Sequence, residues 1–357
     1  MKDIIFILPS LSGGGAERVI YSLSEEFINK YNDNVSICLL RNDSIEYEIN
    51  NKIKIIKKYV VSNSKFKKIK TIMNLRKLMV ENKNSIFISF LTNENIYLTF
   101  SSLGIKTHII VSERNDPYLT IKGSLKKKIV NWLYGIKQCK SIVFQTEGAK
   151  SFYSVKNQRK GVIISNPVKS NLPERCIGER TKEIVTFARL EPQKNYPLLI
   201  KSFKKFSIDF PDYTLGIYGK GSMEQSLKEL ARELKIDKKV KFYGFDSRLH
   251  EKIVNSAMFV LSSDYEGLSN SMLEAMAMGL PCVCTDCSPG GARMFIKNNY
   301  NGILVKVNDI QGMYEGMCKI ASDNSFSNEI SKNAYKIRNE LTLNKIAEQW
   351  EELFRGF

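Results

Sequence analysis

Glu266 and Glu274 stand with seven residues between them in "YEGLSNSMLEA", residues 265–275. The first precedes a Gly-containing turn rich in Ser and Asn. The second falls about one and a half turns into the helix expected to begin near Ser269. A carboxylate accepts two hydrogen bonds, which suits the neighbouring hydroxyls of a ribose or a sugar ring. Gly267 opens the turn, and the backbone N–H groups of Leu268, Ser269 and Asn270 at the helix start favour an anion. Some way earlier in the chain, "FARLEPQKN" puts Arg189 just past a strand and Lys194 five residues on, with Pro192 stiffening the loop between them. Cations at the C-terminal end of a parallel strand lie where open α/β sheets bind ligands. Arg grips phosphate oxygens with a planar fork, while Lys supplies a point charge. Together the set complements a nucleoside diphosphate that carries a sugar. Singly, each residue is ordinary: an acid near a helix start, or a surface cation in a basic protein.

Two glycine-rich turns are weaker signals. "SLSGGGAERV", residues 10–19, follows an apolar strand and opens a helix, so Gly14 and Gly15 permit close approach of a phosphate or only a tight turn. "YGKGSMEQSL" gives Gly219-x-Gly221-x-x-Glu224, a dinucleotide fingerprint with its third glycine replaced, for which a structural turn is the better reading. Cys282, Cys284 and Cys287 in "CVCTDC" invite a metal. Structural zinc wants four ligands, however, and no histidine is near, so these cysteines are expected to pack as small apolar side chains. His108, inside an apolar strand, reads as a core residue.

The elements that must position these groups alternate along the chain. Apolar runs at 4–8, 35–40, 53–56, 86–90, 108–112, 141–144 and 162–164 predict strands, and helical periodicity fills 16–30, 66–82, 94–102, 124–138 and 147–155. Residues 166–182 carry two prolines and no period, which marks a linker. A second series then predicts strands at 183–187, 214–218, 240–243, 258–262, 281–284 and 302–305, and 309–356 reads as helices alone. The expectation is two Rossmann-like doubly wound α/β domains, 1–166 and 167–341, with the last helix, about 342–357, a candidate to pack back on the first.

The 357 residues suffice for two such cores. No apolar run reaches the roughly 20 residues that span a bilayer, and the five apolar residues at the start read as a strand, not a signal. Seven cysteines, an odd count, fit reduced thiols and a cytoplasmic setting. Charge is uneven. Residues 1–170 hold 28 Lys and Arg against 13 Asp and Glu, while 171–357 hold 26 against 24. The basic half implies a polyanionic partner. Lysine-rich 52–70 reads as a solvated strand–loop–helix edge ahead of a dedicated binding patch. In "KGSLKKKIVNWLYGIK", 122–137, lysines are mixed with apolar residues and a tryptophan, and a core-facing stripe with a solvated face competes evenly with a helix lying on an anionic bilayer. Nothing resembles a recognition helix, zinc finger or aromatic RNA platform, so nucleic acid is not expected.

Arg189 and Lys194 in "ARLEPQKN" and the Glu266-x7-Glu274 pair resemble the retaining glycosyltransferases of family 4. The likeness runs through "GGAERV", "GKGSMEQSL", "KFYGF", "GLPCVCTDCSPGGARMFI" and "NGILV", nearly the whole chain, and "SERNDP" resembles enzymes of bacterial capsule, exopolysaccharide and surface-glycan assembly. The resemblance implies GT-B architecture, two Rossmann-like domains facing across a cleft. It implies that Arg189 and Lys194 neutralise the donor diphosphate, Glu274 binds the ribose, and Glu266 touches the sugar beside Gly267 to Asn270. Gly14 and Gly15 would close over the phosphates, Gly219 would lie near the nucleotide, and the base would lie near "KFYGF". Where many relatives carry a first-domain His, this chain has Glu113, Arg114 and Asp116, leaving open whether Glu113 or Arg114 takes the active-site place. Glu113 is the catalytic candidate; Arg114 and Asp116 are placed on the acceptor side. No cofactor or metal is implied. The expected activity is a hexosyl or N-acetylhexosaminyl transfer from a UDP donor to a glycan acceptor, lipid-linked or soluble, at an anionic inner membrane face. The rivals are an epimerase or hydrolase of UDP-sugars and, behind them, a nucleic-acid-binding protein.

Overall fold

The structure is a computed structural model that describes residues 1–41, 45, 48–58 and 66–356. Residues 59–65 of the lysine-rich stretch therefore lie outside the described residues. The chain divides into two compact units: Met1–Pro167 with Leu343–Phe357, and Val168–Thr342.

The first unit carries β1 (Asp3–Leu8), β2 (Asn34–Leu39), β3 (Lys54–Lys57), β4 (Ile86–Phe90), β5 (His108–Ser112), β6 (Cys139–Phe144) and β7 (Gly161–Ile163). They form one parallel sheet in the order β3-β2-β1-β4-β5-β6-β7. The central strands are buried on both faces, which is why "IIFIL" and "IFISF" read as continuous apolar runs with no alternation. His108 sits half-buried at the N-terminal end of β5, outside the core, where partial burial and then Lys140 and Lys106 hold its imidazole below the usual range.

The second unit carries β8 (Thr181–Phe187), β9 (Thr214–Tyr218), β10 (Val240–Gly244), β11 (Ser256–Leu261), β12 (Cys282–Thr285) and β13 (Ile303–Val305), parallel in the order β10-β9-β8-β11-β12-β13. Both sheets are doubly wound, as the sequence pattern requires. The order reverses between β1 and β4 in the first, and between β8 and β11 in the second.

Two helices differ from expectation. The run at 124–138 ends at Tyr134, where Gly135 follows. The one at 147–155 is two short helices, Glu147–Ser151 and Val155–Arg159, and between them the Ser154 N–H donates to Asn131 Oδ1 at 2.7 Å. The last helix, Leu343–Phe354, joins the first unit. Its fully buried Trp350 stacks on Phe90 at 5.9 Å, Phe354 meets Phe27 at 5.5 Å, and Glu351 pairs with Lys2.

Candidate active site

The loops leaving β8 and β11 flank the reversal of strand order in the second unit, and they carry the residues singled out by chemistry. Arg189 follows β8 by two residues. Its side chain is exposed and has no hydrogen bond or ion pair among the described residues. Behind it the buried Tyr196 hydroxyl donates to Ala188 O at 3.1 Å, fixing the strand end that aims Arg189.

Lys194 ends the short 3-10 turn Pro192–Lys194 and forms an ion pair with Glu266. Both side chains are mostly shielded, 11% and 16% exposed, so the pair lies in a region of reduced dielectric. Several bonds hold the loops together. Gln193 Nε2 donates to Tyr265 O at 2.9 Å, and the Asp264 N–H donates to Gln193 O at 2.9 Å. Ser262 Oγ donates to Lys194 O at 2.8 Å, and Asn195 Nδ2 donates to Asp264 Oδ1 at 2.6 Å. Ser263 Oγ donates to Glu266 Oε2 at 3.2 Å, and the Glu266 N–H donates to Ser288 O at 2.9 Å. The cation and the acid that the sequence spaced 72 residues apart therefore meet as a supported pair.

Ser269 caps the helix Asn270–Ala277, and its hydroxyl accepts from the Met272 N–H at 3.4 Å. Gly267, Leu268 and Ser269 are buried and Asn270 is half-buried. Glu274 is buried within the helix. Its Oε2 accepts from His250 Nε2 at 2.7 Å, and the His250 ring stands edge-on to Phe187, the last residue of β8, at 5.8 Å. Glu274 is thus tied through His250 to the strand that leads into Arg189. His250 escaped the sequence reading: it lies 24 residues before Glu274 with no motif around it.

The glycines of "YGKGS" serve the backbone. A Cβ on Gly219, at φ +133°, would meet Ala188 O at 2.0 Å, and one on Gly221 would meet Leu190 O at 2.3 Å. The loops after β8 and β9 run that close, sharing bonds from Leu190 N–H to Lys220 O and from Met223 N–H to Leu190 O. Likewise Gly291 approaches Gly267, where a Cβ would meet Gly267 O at 2.2 Å. Cys282, Cys284 and Cys287 are buried, and burial pushes the Cys287 thiol up to about 12, so they pack as protonated side chains. A cavity of about 540 Å³ in this unit lies at the opposite, N-terminal end of β8 and β11, by Thr181 and Asn324. There the Arg180 guanidinium is already bonded to the carbonyls of Val254, Ser256 and Gly279 and to Ser331 Oγ.

First-unit candidates have local partners. The Gly14 N–H donates to Glu17 Oε2 at 3.1 Å, and Ser10 Oγ donates to Glu17 Oε1 at 2.9 Å, so this helix start already faces a carboxylate. Gly15 begins that helix, Gly15–Tyr31. Glu113 is buried and accepts from Thr92 Oγ1 at 2.9 Å, from Asn95 Nδ2 at 3.0 Å and from the Tyr134 hydroxyl. Arg114 lies over the Phe90 ring at 4.0 Å and donates to Asn166 Oδ1 at 2.7 Å, while its Nε and Nη2 are buried without a hydrogen-bond partner among the described residues. Burial pushes its guanidinium down to about 9. Asp116 is buried and caps Pro117–Thr120 by accepting from the Tyr118 N–H at 2.9 Å. The structure gives all three a packing role inside the first unit.

Residues 170–337 match the family model described as glycosyl transferases group 1. An uncharacterized glycosyltransferase of Haemophilus influenzae is 25% identical over 98% of this chain and 99% of its own length. A Campylobacter jejuni alpha-1,4-N-acetyl-D-galactosaminyltransferase, named for a diNAcBac-PP-undecaprenol-linked GalNAc acceptor, is 26% identical over 99% of this chain and 98% of its own. The crystal structure of Anabaena HepE in complex with UDP and glucose superposes with a TM-score of 0.86 at 14% identity, covering all of both chains.

Proposed function

We propose, from the match of residues 170–337 to the glycosyl transferases group 1 model, that this protein moves a hexose or N-acetylhexosamine from UDP to a lipid-linked glycan, with retention of anomeric configuration, as a family 4 enzyme does. One observation carries the reading. At the reversal of strand order, the loop after β8 carries an exposed Arg189 and the shielded Lys194 paired to Glu266, and the loop after β11 leads into a capped helix start whose buried Glu274 is bonded to His250. The undecaprenol-linked acceptor in the name of the Campylobacter relative and the UDP in the HepE structure support the choice of substrates.

Transfer breaks the bond between the anomeric carbon and the β-phosphate oxygen, and the electron pair leaves with the phosphate. Arg189 and Lys194 neutralise that developing charge, the kind of preorganised stabilisation worth about 3 kcal/mol per donor. With the phosphate claiming Lys194, the Glu266 carboxylate is released towards a sugar hydroxyl. The acceptor oxygen bonds the same face of the anomeric carbon, and its proton passes to the leaving phosphate. Arg189 and Lys194 take the place of a divalent ion. Glu274 accepts hydrogen bonds from the ribose while His250 holds it. Glu113 positions the first-unit loop from within. The enzyme works peripherally at the cytoplasmic face of the membrane in capsule, exopolysaccharide or lipopolysaccharide assembly.

The test is a thermal-shift panel of nucleotide sugars with and without EDTA, followed by transfer to a polyprenyl-diphosphate-linked sugar and NMR of the product anomer. One UDP donor class is expected to stabilise the protein equally in EDTA and to yield the α-linked product from an α-linked donor. Turnover of donor to an epimer without acceptor, or an inverted product, would replace the reading.

A further inference from the structure

Two helices of the first unit show apolar side chains on their outer faces. On Lys67–Glu81 the inward residues are Leu75, Leu78 and Met79, yet Ile69, Met73 and Val80 point to solvent, Met73 at 64% exposure. Their spacing of four and seven residues makes one stripe. On Ser124–Tyr134 the inward residues are Val130, Leu133 and Tyr134, while Leu125, Ile129 and Trp132 form a second stripe, Leu125 at 71% and Trp132 at 59% exposure. Both helices cover the same core cluster and lie in one layer, each packed against the helix Thr92–Ser101, whose Phe100 is also exposed. The stripes are therefore parts of one surface, larger than the scattered exposed apolar residues of an ordinary monomer.

Cations frame this surface. Lys67–Glu81 carries Lys67, Lys68, Lys70, Arg76 and Lys77 against Glu81 alone, and Ser124–Tyr134 carries Lys126, Lys127 and Lys128 with no acid. Arg76 is bonded to the carbonyls of Ser101 and Leu103, and Lys127 lies over the Phe152 ring at 4.2 Å. Lys126 donates to Thr120 O at 2.9 Å and Lys77 pairs with Glu81 at 3.9 Å, while Lys67, Lys68, Lys70 and Lys128 are exposed on the same two helices. A second copy of this face would bring like charges together. Nucleic acid would leave the aliphatic side chains unburied. A bilayer with anionic headgroups matches both features, with lysines at the phosphates, aliphatics at the acyl boundary and a tryptophan at the interface.

We infer that the outer faces of Lys67–Glu81 and Ser124–Tyr134 together insert into an anionic lipid surface, Met73 and Trp132 marking the depth reached on each helix. The inference deepens the membrane-side acceptor proposed above and rests on it for its purpose, while its test needs neither donor nor acceptor. Of the two tryptophans in the chain, Trp350 is fully buried, so Trp132 is the natural probe. The full chain is mixed with vesicles of phosphatidylcholine, with or without phosphatidylglycerol, some carrying brominated acyl chains. Sedimentation and tryptophan emission are then read. Retention by the anionic vesicles, with quenching by the brominated lipid, is expected. Leu125→Gln/Ile129→Gln and Ile69→Gln/Met73→Gln should each weaken binding at least tenfold, with melting temperature and nucleotide-sugar thermal shift unchanged. Binding without quenching, equal binding by the double variants, or a dimer that shields Trp132 from iodide before lipid is added would each overturn the inference. Loss of nucleotide-sugar binding with vesicle insertion intact would instead sink the transfer reading alone.

Discussion

Glu274 Oε2 and His250 Nε2 are hydrogen-bonded at 2.7 Å, both side chains shielded, joining the helix after β11 to the segment before it. A buried carboxylate that loses such a donor pays a desolvation cost of roughly 1–3 kcal/mol. His250→Ala should therefore weaken donor-nucleotide binding about tenfold, by removing one of the bonds that orient Glu274 towards the ribose. His250→Gln, which retains an N–H donor, should recover part of the loss. Isothermal titration with UDP reads both, and equal affinity in all three proteins would show that Glu274 needs no such holder.

Lys194 and Arg189 should separate stability from chemistry. Lys194→Ala strands Glu266, which is only 16% exposed, so it should lower both melting temperature and transfer rate. Arg189→Ala removes an exposed side chain with no partner, so the melting temperature should hold. Transfer should still fall by about 10²–10³, the usual loss of one oxyanion-type donor. A rate unchanged in Arg189→Ala would remove that residue from the chemistry.

The residues that meet in the second unit were legible because each sits where a local rule places it. Ser269 caps a helix, Pro192 opens a turn, and strand ends put Arg189 and Glu266 at one edge. His250 was illegible because its partner is chosen by tertiary packing. The glycines of "YGKGS" read as a structural turn, and so they are: sequence shows that a backbone comes close there, and the structure shows that it is the neighbouring loop. Glu113 was recognised as a special acid, but its three donors come from Thr92, Asn95 and Tyr134, on two separate helices. The outer stripe of Lys67–Glu81 went unread because the lysine-rich stretch 52–70, read as a solvated edge, overlaps only its first turn and holds Ile69 but neither Met73 nor Val80.

Glu113 tests whether a buried acid serves folding or transfer. Replacing it with Ala leaves the half-buried Thr92 Oγ1 and the buried Tyr134 hydroxyl without their acceptor and takes one of two acceptors from Asn95 Nδ2, which keeps Ser112 O. A loss of about 3 kcal/mol is expected from such a network. Glu113→Gln keeps the shape and one acceptor and should lose less. If Glu113 is a positioning residue, kcat should follow the folded fraction in both variants. A kcat drop beyond about 10³ in a fully folded Glu113→Gln protein would make it a catalytic residue.

Glu94 sets a pH dependence of stability in the first unit. It is buried at the start of Thr92–Ser101 and pairs with Arg41 at 3.0 Å. Burial raises its carboxyl above the ordinary range, and the Arg41 charge only partly opposes this. The folded state therefore binds that proton more tightly than the unfolded state does. Its contribution is fully present below the unfolded pKa of roughly 4.3 and is lost as pH rises through the folded value. Glu94→Gln imitates the protonated form and does not titrate. Its stability relative to the parent should rise with pH across this window, while the titration of Glu351, also raised by burial, is common to both proteins and cancels. Urea unfolding followed by tryptophan fluorescence suits the measurement, since Trp132 and Trp350 both belong to the first unit. A constant gap between the two proteins from pH 4 to 7 would show that Arg41 fully compensates the burial of Glu94.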